Sequence, residues 1–228
     1  MKSKQPFAVI ILAADRALTD PVAQYTAASC KALASVAGRE MVLRVLDTLA
    51  DAVETGACFL VGPSAASVEQ SEELTELVSS GQVKWLAPQS TPSLSAFTVL
   101  QSLPEDTPVL VTTADHALLT AEMVDHYCSE ARTSSCDVLA GVARHELIAA
   151  AVPGTRRTVT KLKDGGYCGC NLFAFLTPES RKAADFWRQV EKERKKPLRI
   201  LKVMGWTTVI RYLLGQLTLR QALNGLSK

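Results

Sequence analysis

The segment Phe7-Ala-Val-Ile-Ile-Leu-Ala-Ala-Asp-Arg16 decides the fold. Its apolar part runs without hydrophobic–polar alternation, which is typical of a strand buried on both faces of a parallel sheet. Polar residues and Pro21 follow, and we expect residues 15–30 to form a long loop. Apolar residues at helical spacing over residues 42–49 then predict an amphipathic helix. The chain therefore opens with a strand, a long loop and a helix.

Strands and helices continue to alternate along the chain. Further strands are predicted at residues 57–61, 83–86, 108–113, 137–142 and 171–175, and helices at residues 71–80, 94–103, 120–132 and 178–196. Because a helix separates most successive strands, the order predicts an α/β fold with a parallel or mostly parallel sheet and right-handed crossovers.

The character of the chain changes after residue 142. Gly165-Gly166 is expected to form a turn, and the last residues form a helical region broken near Gly205 and Gly215. With no internal repeat and no low-complexity linker, we expect one α/β domain over residues 1–196. A helical C-terminal extension over residues 197–228 is expected to pack on it.

The composition excludes several classes of protein. The 228 residues are 47% hydrophobic and 21% charged, enough for a full core without disulfides. A net charge of +2 is too small to indicate nucleic acid or an anionic membrane as a partner. An anionic ligand must therefore be bound by a local site.

The cysteines and the N-terminal residues favour a cytoplasmic protein. The six cysteines include no Cys-x-x-Cys pair and no zinc-ligand spacing, so free thiols in a reducing compartment are expected. Lys2 and Lys4 precede an apolar run, but it is short and lacks a small-residue cleavage site. No stretch approaches the length of a membrane span, so we expect no membrane association.

In open α/β sheets ligands bind beyond the carboxyl ends of the strands, and three features are predicted there: two follow strands, and the third lies beside a later strand. They are Ala14-Asp-Arg16, Thr113-Ala-Asp115 and Gly169-Cys-Asn171. Arg16 and Lys31 can bind phosphate, or they can be ordinary surface charges. Asp115 can hold Mg²⁺ or cap the next turn.

Two other polar residues near these strand ends can likewise have either a functional or a structural role. Asn171 can supply a neutral oxygen to a metal or satisfy backbone groups of its loop. His116 can act as a base or as a structural hydrogen-bonding residue.

A set of ordered segments carries a family resemblance over roughly residues 7–176. The segments are Ile11-Leu-Ala-Ala-Asp-Arg16, Lys31-Ala-Leu33, Val36-Ala-Gly-Arg-Glu-Met41, Arg44-Val-Leu46, Val111-Thr-Thr-Ala-Asp115 and Gly169-Cys-Asn171. Together they resemble the MobA-like NTP transferases. The resemblance implies a GT-A-like, Rossmann-related three-layer α/β fold with a mixed, mostly parallel sheet.

The same resemblance implies a function and a set of site residues. The implied reaction transfers a nucleoside monophosphate from an NTP to a phosphorylated small-molecule acceptor and releases pyrophosphate. Catalytic roles are implied for Arg16, Lys31 and Asp115, and Mg²⁺ binding for Asp115 and Asn171. Nucleotide contacts are implied for Ala13, Ala14, Asp15, Arg16, Lys31, Ser93 and Ser95. Nucleic acid and membranes are not expected partners, and the oligomeric state is not indicated.

The sequence departs from the family pattern mainly in the first loop. Asp15 stands where a glycine is expected, and Ala17 and Leu18 replace further small residues. Cys30 and Glu40 stand where prolines are usual. A carboxylate beside a triphosphate adds repulsion on the order of 1 kcal/mol.

Because of these departures, the resemblance is compatible with two functions, and a third reading without the resemblance also stays open. The chain is an active or weakened nucleotidyltransferase, or an inactive relative that binds a nucleotide for regulation. The third reading is an unrelated α/β protein such as a dinucleotide-dependent enzyme. It predicts a G-x-G-x-x-G motif after the first strand, and the sequence has none there.

Overall fold

The fold is taken from a computed structural model, which describes residues 5–15, 20–155, 157–193 and 206–226. The chain divides into two compact units. The first comprises residues Met1–Leu139 and Asn171–Arg188, and the second comprises residues Ala140–Cys170 and Gln189–Lys228. The boundary predicted at residues 196 and 197 lies outside the described residues and stays a prediction.

A mixed sheet organises the first unit. Its strands, in spatial order, are β5 (Val83–Leu86), β4 (Thr55–Val61), β1 (Phe7–Leu12), β6 (Val109–Thr113), β9 (Gly165–Phe175) and β7 (Val138–Arg144). The β1–β4, β1–β6 and β4–β5 pairs are parallel, whereas β6 and β9 are antiparallel. The α/β fold with a mixed, mostly parallel sheet is therefore confirmed. Strands β7 and β9 each continue along the chain into the second unit.

Helices of the first unit cover both faces of its sheet. The helices of all the described residues are α1 (Pro21–Thr26), α2 (Met41–Asp51), α3 (Ala65–Val68), α4 (Glu72–Ser79), α5 (Pro92–Ser102), α6 (Ala121–Thr133), α7 (His145–Ala151), α8 (Ser180–Glu193), α9 (Trp206–Leu213) and α10 (Leu219–Leu226). Val9 packs in a cluster with residues of α2, α4 and α6, whereas Ile10 packs with residues of α5 and α8. Because alternate residues of a strand face opposite sides, the apolar run of β1 serves two cores and three layers result.

Helix α1 corrects the prediction of a long loop over residues 15–30. Pro21 occupies the first turn of this helix, where its missing N–H costs nothing and its fixed φ suits helical geometry. The Asp20 carboxylate caps the helix by accepting the N–H of Val22 at 2.8 Å. Pro21 therefore begins a helix instead of excluding one.

The predicted turn at Gly165-Gly166 is also wrong. Both glycines begin β9, which forms a hairpin with β8 (Thr160–Leu162), and Leu162 pairs with Gly165. Lys163 and Asp164 therefore form the turn. A Cβ on Gly166 would lie 2.9 Å from Val159 Cγ1, so side-chain packing explains this glycine.

The described residues of the second unit form the hairpin and three helices, α7, α9 and α10. Helix α7 was not predicted, while the break between α9 and α10 at Gly215, which has φ +64°, confirms the expected interruption. The N–H of Lys163 donates to Leu217 O, and the N–H of Leu219 donates to the Asp164 carboxylate. These two bonds connect the turn of the hairpin to the start of α10. Among the helices of the described residues, none has the length and apolar character needed to span a membrane.

Candidate nucleotide site

The carboxyl ends of the parallel strands form one edge of the sheet. The N–H of Ala13 donates to Val61 O at 2.9 Å, and the N–H of Ala114 donates to Leu12 O at 3.0 Å. These bonds extend the sheet by one residue, so the Ala13 N–H is already used by the sheet. Donors for a phosphate must then come from later in the first loop, where Ala14 and Asp15 are exposed.

Gly62 allows the first loop to approach the neighbouring strand. Its φ is +79°, and a Cβ at this position would lie 3.0 Å from the backbone nitrogen of Ala14. Glycine avoids both the strained backbone and the collision. The sequence predicted a strand that ends at residue 61, but it did not predict this contact, because the contact joins segments distant along the chain.

Lys31 joins the first loop to the end of β6. It begins a short 3-10 turn, Lys31–Leu33, and its backbone N–H lies 3.2 Å from each carboxylate oxygen of Asp15. Its side-chain ammonium donates a charge-assisted hydrogen bond to Asp115 Oδ2. The side chains of Lys31 and Asp115 are 32% and 33% exposed, so a ligand can reach both. The structure therefore brings Asp15, Lys31 and Asp115 together.

The two carboxyl groups experience different environments. Burial favours the neutral form of Asp115, but the hydrogen bond and positive charge of Lys31 act against it, and the pKa of Asp115 is lowered. For Asp15, partial burial raises the pKa, and the Lys31 N–H offsets this effect only in part. Asp115 is therefore the carboxylate better suited to remain ionised.

Asp115 fits the expected role in Mg²⁺ binding. The Lys31 ammonium already places a positive charge against Oδ2, so the carboxylate faces a position where a cation is stable. Mg²⁺ commonly uses one or two carboxylates together with substrate phosphates and water. Within the described ranges, no group of three or more His, Cys, Asp or Glu side chains is arranged for a metal. A single carboxylate is compatible with Mg²⁺ when a bound phosphate and water supply further ligands.

Asn171 lies on β9 toward the carboxyl end of β6. Phe173 pairs with Val111 in the antiparallel β6–β9 ladder, and Asn171 precedes Phe173 by two residues. Its φ is +52°, a left-handed conformation that asparagine tolerates better than most residues. This conformation gives a structural reason for the asparagine, and its role as a metal ligand stays a prediction.

Ser93 and Ser95 stabilise the start of α5. They are 0% and 3% exposed, and Ser95 Oγ accepts the N–H of Gln89 at 2.9 Å. The hydroxyls of Ser93 and Thr91 are 3.2 Å apart, while Thr91 caps the helix. Nucleotide contacts by these serines stay a prediction, and Arg16 lies outside the described residues.

A polar network fixes the segment between Lys31 and α2. Strands β2 (Ser35–Val36) and β3 (Arg39–Glu40) form a small hairpin. Nη2 of Arg39 donates to Asp47 Oδ1 and Glu73 Oε1, both at 2.7 Å, and Glu40 accepts the Ser71 hydroxyl at 2.7 Å. Glu40, which stands where a proline is usual, therefore has a structural partner. The sequence did not predict this network.

The whole of this architecture matches one protein family. The family model described as the MobA-like NTP transferase domain matches residues 9–225. The chain belongs to this family. The match includes the three residues gathered at the sheet edge as well as the helices of the C-terminal part. The comparison with curated proteins finds no significant match.

Solved structures share the fold of this MobA-like chain. A hypothetical transferase from Thermus thermophilus is 25% identical, with a TM-score of 0.73, and the match covers 97% of this chain and 87% of the other. A CMP:2-keto-3-deoxy-manno-octonic acid synthetase complexed with CTP is 14% identical, with a TM-score of 0.55 and coverage of 87% and 85%. A 4-diphosphocytidyl-2C-methyl-D-erythritol synthase from Anaerococcus prevotii DSM 20548 is 16% identical, with a TM-score of 0.55 and coverage of 81% and 76%.

Proposed function

We propose that this protein transfers a nucleoside monophosphate from an NTP to a phosphorylated small-molecule acceptor and releases pyrophosphate. The observation that carries the proposal is the meeting of Lys31 and Asp115 at the carboxyl edge of the sheet. A lysine, which is suited to phosphate, thus lies beside a carboxylate, which is suited to a divalent metal, and this supports the proposal. Membership of the NTP transferase family supports the same conclusion.

The proposed reaction needs positioning and charge neutralisation more than covalent catalysis. An oxygen of the acceptor phosphate attacks the α-phosphorus in line, and a new P–O bond forms as the α–β bond breaks. The electron pair of the broken bond leaves on pyrophosphate. Lys31 would bind the triphosphate and reduce the negative charge that opposes the attack. When bound, Mg²⁺ would supply further charge neutralisation, with Asp115 as its protein ligand and Asn171 as a second donor.

Other residues have supporting parts in this proposal. Arg16 would supply a second positive charge to the triphosphate. The exposed backbone of Ala14 and Asp15 would lie beside the triphosphate. Ser93 and Ser95 would act indirectly, since their buried hydroxyls already hold the loop before α5. The cytosol remains the expected compartment.

One observation favours the second candidate, an inactive nucleotide-binding relative. The Asp15 carboxylate lies on the Lys31 N–H, a donor that an anionic ligand would otherwise use. Its negative charge weakens the site for a triphosphate. Nucleotide binding without turnover is the outcome expected of this alternative.

A thermal-shift panel tests the proposal. Each of the common NTPs is added with Mg²⁺ or with EDTA, to the wild type, Asp115→Ala and Asp106→Ala. Asp106 is an exposed aspartate before the amino end of β6 and serves as the matched control. We expect Mg²⁺-dependent stabilisation of the wild type and the control by at least one NTP, and its loss in Asp115→Ala.

Pyrophosphate release then separates the two candidates. The stabilising NTP is incubated with a set of phosphorylated small molecules, and pyrophosphate is measured. Acceptor-dependent release supports the transferase, whereas binding without release supports the inactive relative. Absence of stabilisation by every NTP would rule out both.

A further inference from the structure

We propose that the Lys31–Asp115 ion pair couples metal binding to nucleotide binding, so that each ligand releases the residue that the other needs. The inference rests on the proposed function and adds a regulatory property to the same site. Its basis is that the two side chains assigned to different ligands are bonded to each other in the free protein.

The pair restricts binding of a metal alone. The ammonium of Lys31 occupies Oδ2 of Asp115, the group that would hold the cation. A divalent cation at the same carboxylate meets a like charge at short range until Lys31 moves. The Lys31 backbone is fixed by Asp15, but its long side chain can turn away from Asp115.

The pair also restricts binding of a nucleotide alone. Without a metal, a triphosphate must draw Lys31 away from Asp115 and then lie near two carboxylates, Asp15 and Asp115. When metal and nucleotide arrive together, the metal neutralises Asp115 while Lys31 binds phosphate. Each ligand therefore increases the affinity for the other, and thermodynamic linkage makes this coupling reciprocal.

Two substitutions test the coupling from its two sides. Asp115→Asn frees Lys31 and removes one negative charge, and Asp106→Asn is its control. Lys31→Gln frees Asp115 and removes one positive charge, and Lys182→Gln is its control. Lys182 is exposed near the start of α8. This helix follows the end of β9, which pairs with the amino end of β6. Lys182 therefore lies far from the carboxyl edge of the sheet, where Asp115 is found.

The first measurement is NTP affinity by calorimetry in EDTA and in Mg²⁺, with the same NTPs. Asp115→Asn is expected to bind the NTP about three- to tenfold more tightly than the wild type in EDTA, and more weakly than the wild type in Mg²⁺.

The second measurement is binding of Mn²⁺ alone by electron paramagnetic resonance. Lys31→Gln is expected to bind Mn²⁺ roughly threefold or more tightly than the wild type, and both controls to resemble the wild type.

The outcomes separate this inference from the proposed function. If the wild type binds an NTP in Mg²⁺ but Asp115→Asn gains no affinity in EDTA, the coupling is overturned while nucleotide binding stands. An Mn²⁺ affinity in Lys31→Gln no higher than in the wild type overturns it as well. If the wild type binds no NTP in Mg²⁺, the proposed function fails, and the coupling fails with it.

Discussion

Both carboxylate oxygens of Asp15 lie 3.2 Å from the backbone nitrogen of Lys31. The residue that departs most clearly from the family pattern therefore has a definite partner in the free protein. It connects the first loop to the 3-10 turn that carries the proposed phosphate-binding lysine. The same contact places a negative charge where a triphosphate is expected. Asp15 is therefore expected to hold the first loop in place and, at the same time, to lower the affinity for a triphosphate.

Replacing Asp15 should strengthen nucleotide binding. Asp15→Asn keeps an oxygen that can accept the Lys31 N–H but removes the charge. Because repulsion at this range is worth on the order of 1 kcal/mol, NTP affinity in Mg²⁺ should rise by about fivefold. Calorimetric titration of wild type and variant checks this. Equal or weaker binding by Asp15→Asn would show that the carboxylate does not oppose the nucleotide.

The opposite pKa shifts of the two aspartates predict opposite effects of pH on stability. The lowered pKa of Asp115 means that its ionised form stabilises the fold, and this contribution is lost as pH falls through that pKa. In EDTA, Asp115→Asn should be less stable than the wild type at pH 7 by up to about 1 kcal/mol. The difference should shrink below about pH 4.

Asp15 should behave in the reverse sense. Its raised pKa means that ionisation costs stability, so its favourable contribution exists at low pH and is lost as pH rises. Asp15→Asn should therefore gain stability relative to the wild type between acid and neutral pH. Urea unfolding across this range measures both variants. A parallel response of the two would contradict the electrostatic account.

The close approach at Gly62 predicts a large cost for a small substitution. Gly62→Ala adds a strained φ and a Cβ 3.0 Å from the Ala14 nitrogen. Gly81 has nearly the same φ, +78°, but a Cβ there meets nothing within 4 Å. Gly81→Ala should cost about 1 kcal/mol of unfolding free energy, and Gly62→Ala roughly twice that or more.

Chemical denaturation of both glycine variants isolates the collision from the backbone strain. Gly62→Ala should also weaken NTP binding, because the first loop must shift away from β4. Equal destabilisation of the two variants would mean that the contact with Ala14 relaxes without cost.

The sequence predicted those parts of the fold that depend on local pattern. The apolar run of β1 predicted a strand buried on both faces, and Val9 and Ile10 do pack in opposite cores. The predictions of a loop over residues 15–30 and of a turn at Gly165-Gly166 failed, because proline and glycine each occur in two kinds of structure. Proline disrupts the interior of a helix but suits its first turn, as Pro21 does. Adjacent glycines occur in turns and also in strands where a side chain would collide with a neighbour.

The candidate site was predictable only in part for a similar reason. Asp115 follows an apolar strand, so its place at the sheet edge followed from topology. The bond between Asp15 and Lys31 joins residues 16 positions apart and depends on the path of the loop. No periodic pattern encodes that path, which is why Asp15 was expected to repel a phosphate but not to bind a backbone N–H.

The most direct test of the account is calorimetric titration of the wild type with NTPs in Mg²⁺, beside Asp115→Ala and Asp106→Ala. We predict that at least one NTP binds the wild type and the Asp106 variant, and that Asp115→Ala loses most of that affinity. Equal affinity in all three proteins, or no binding of any NTP to the wild type, would contradict the assignment of a nucleotide site to Lys31 and Asp115.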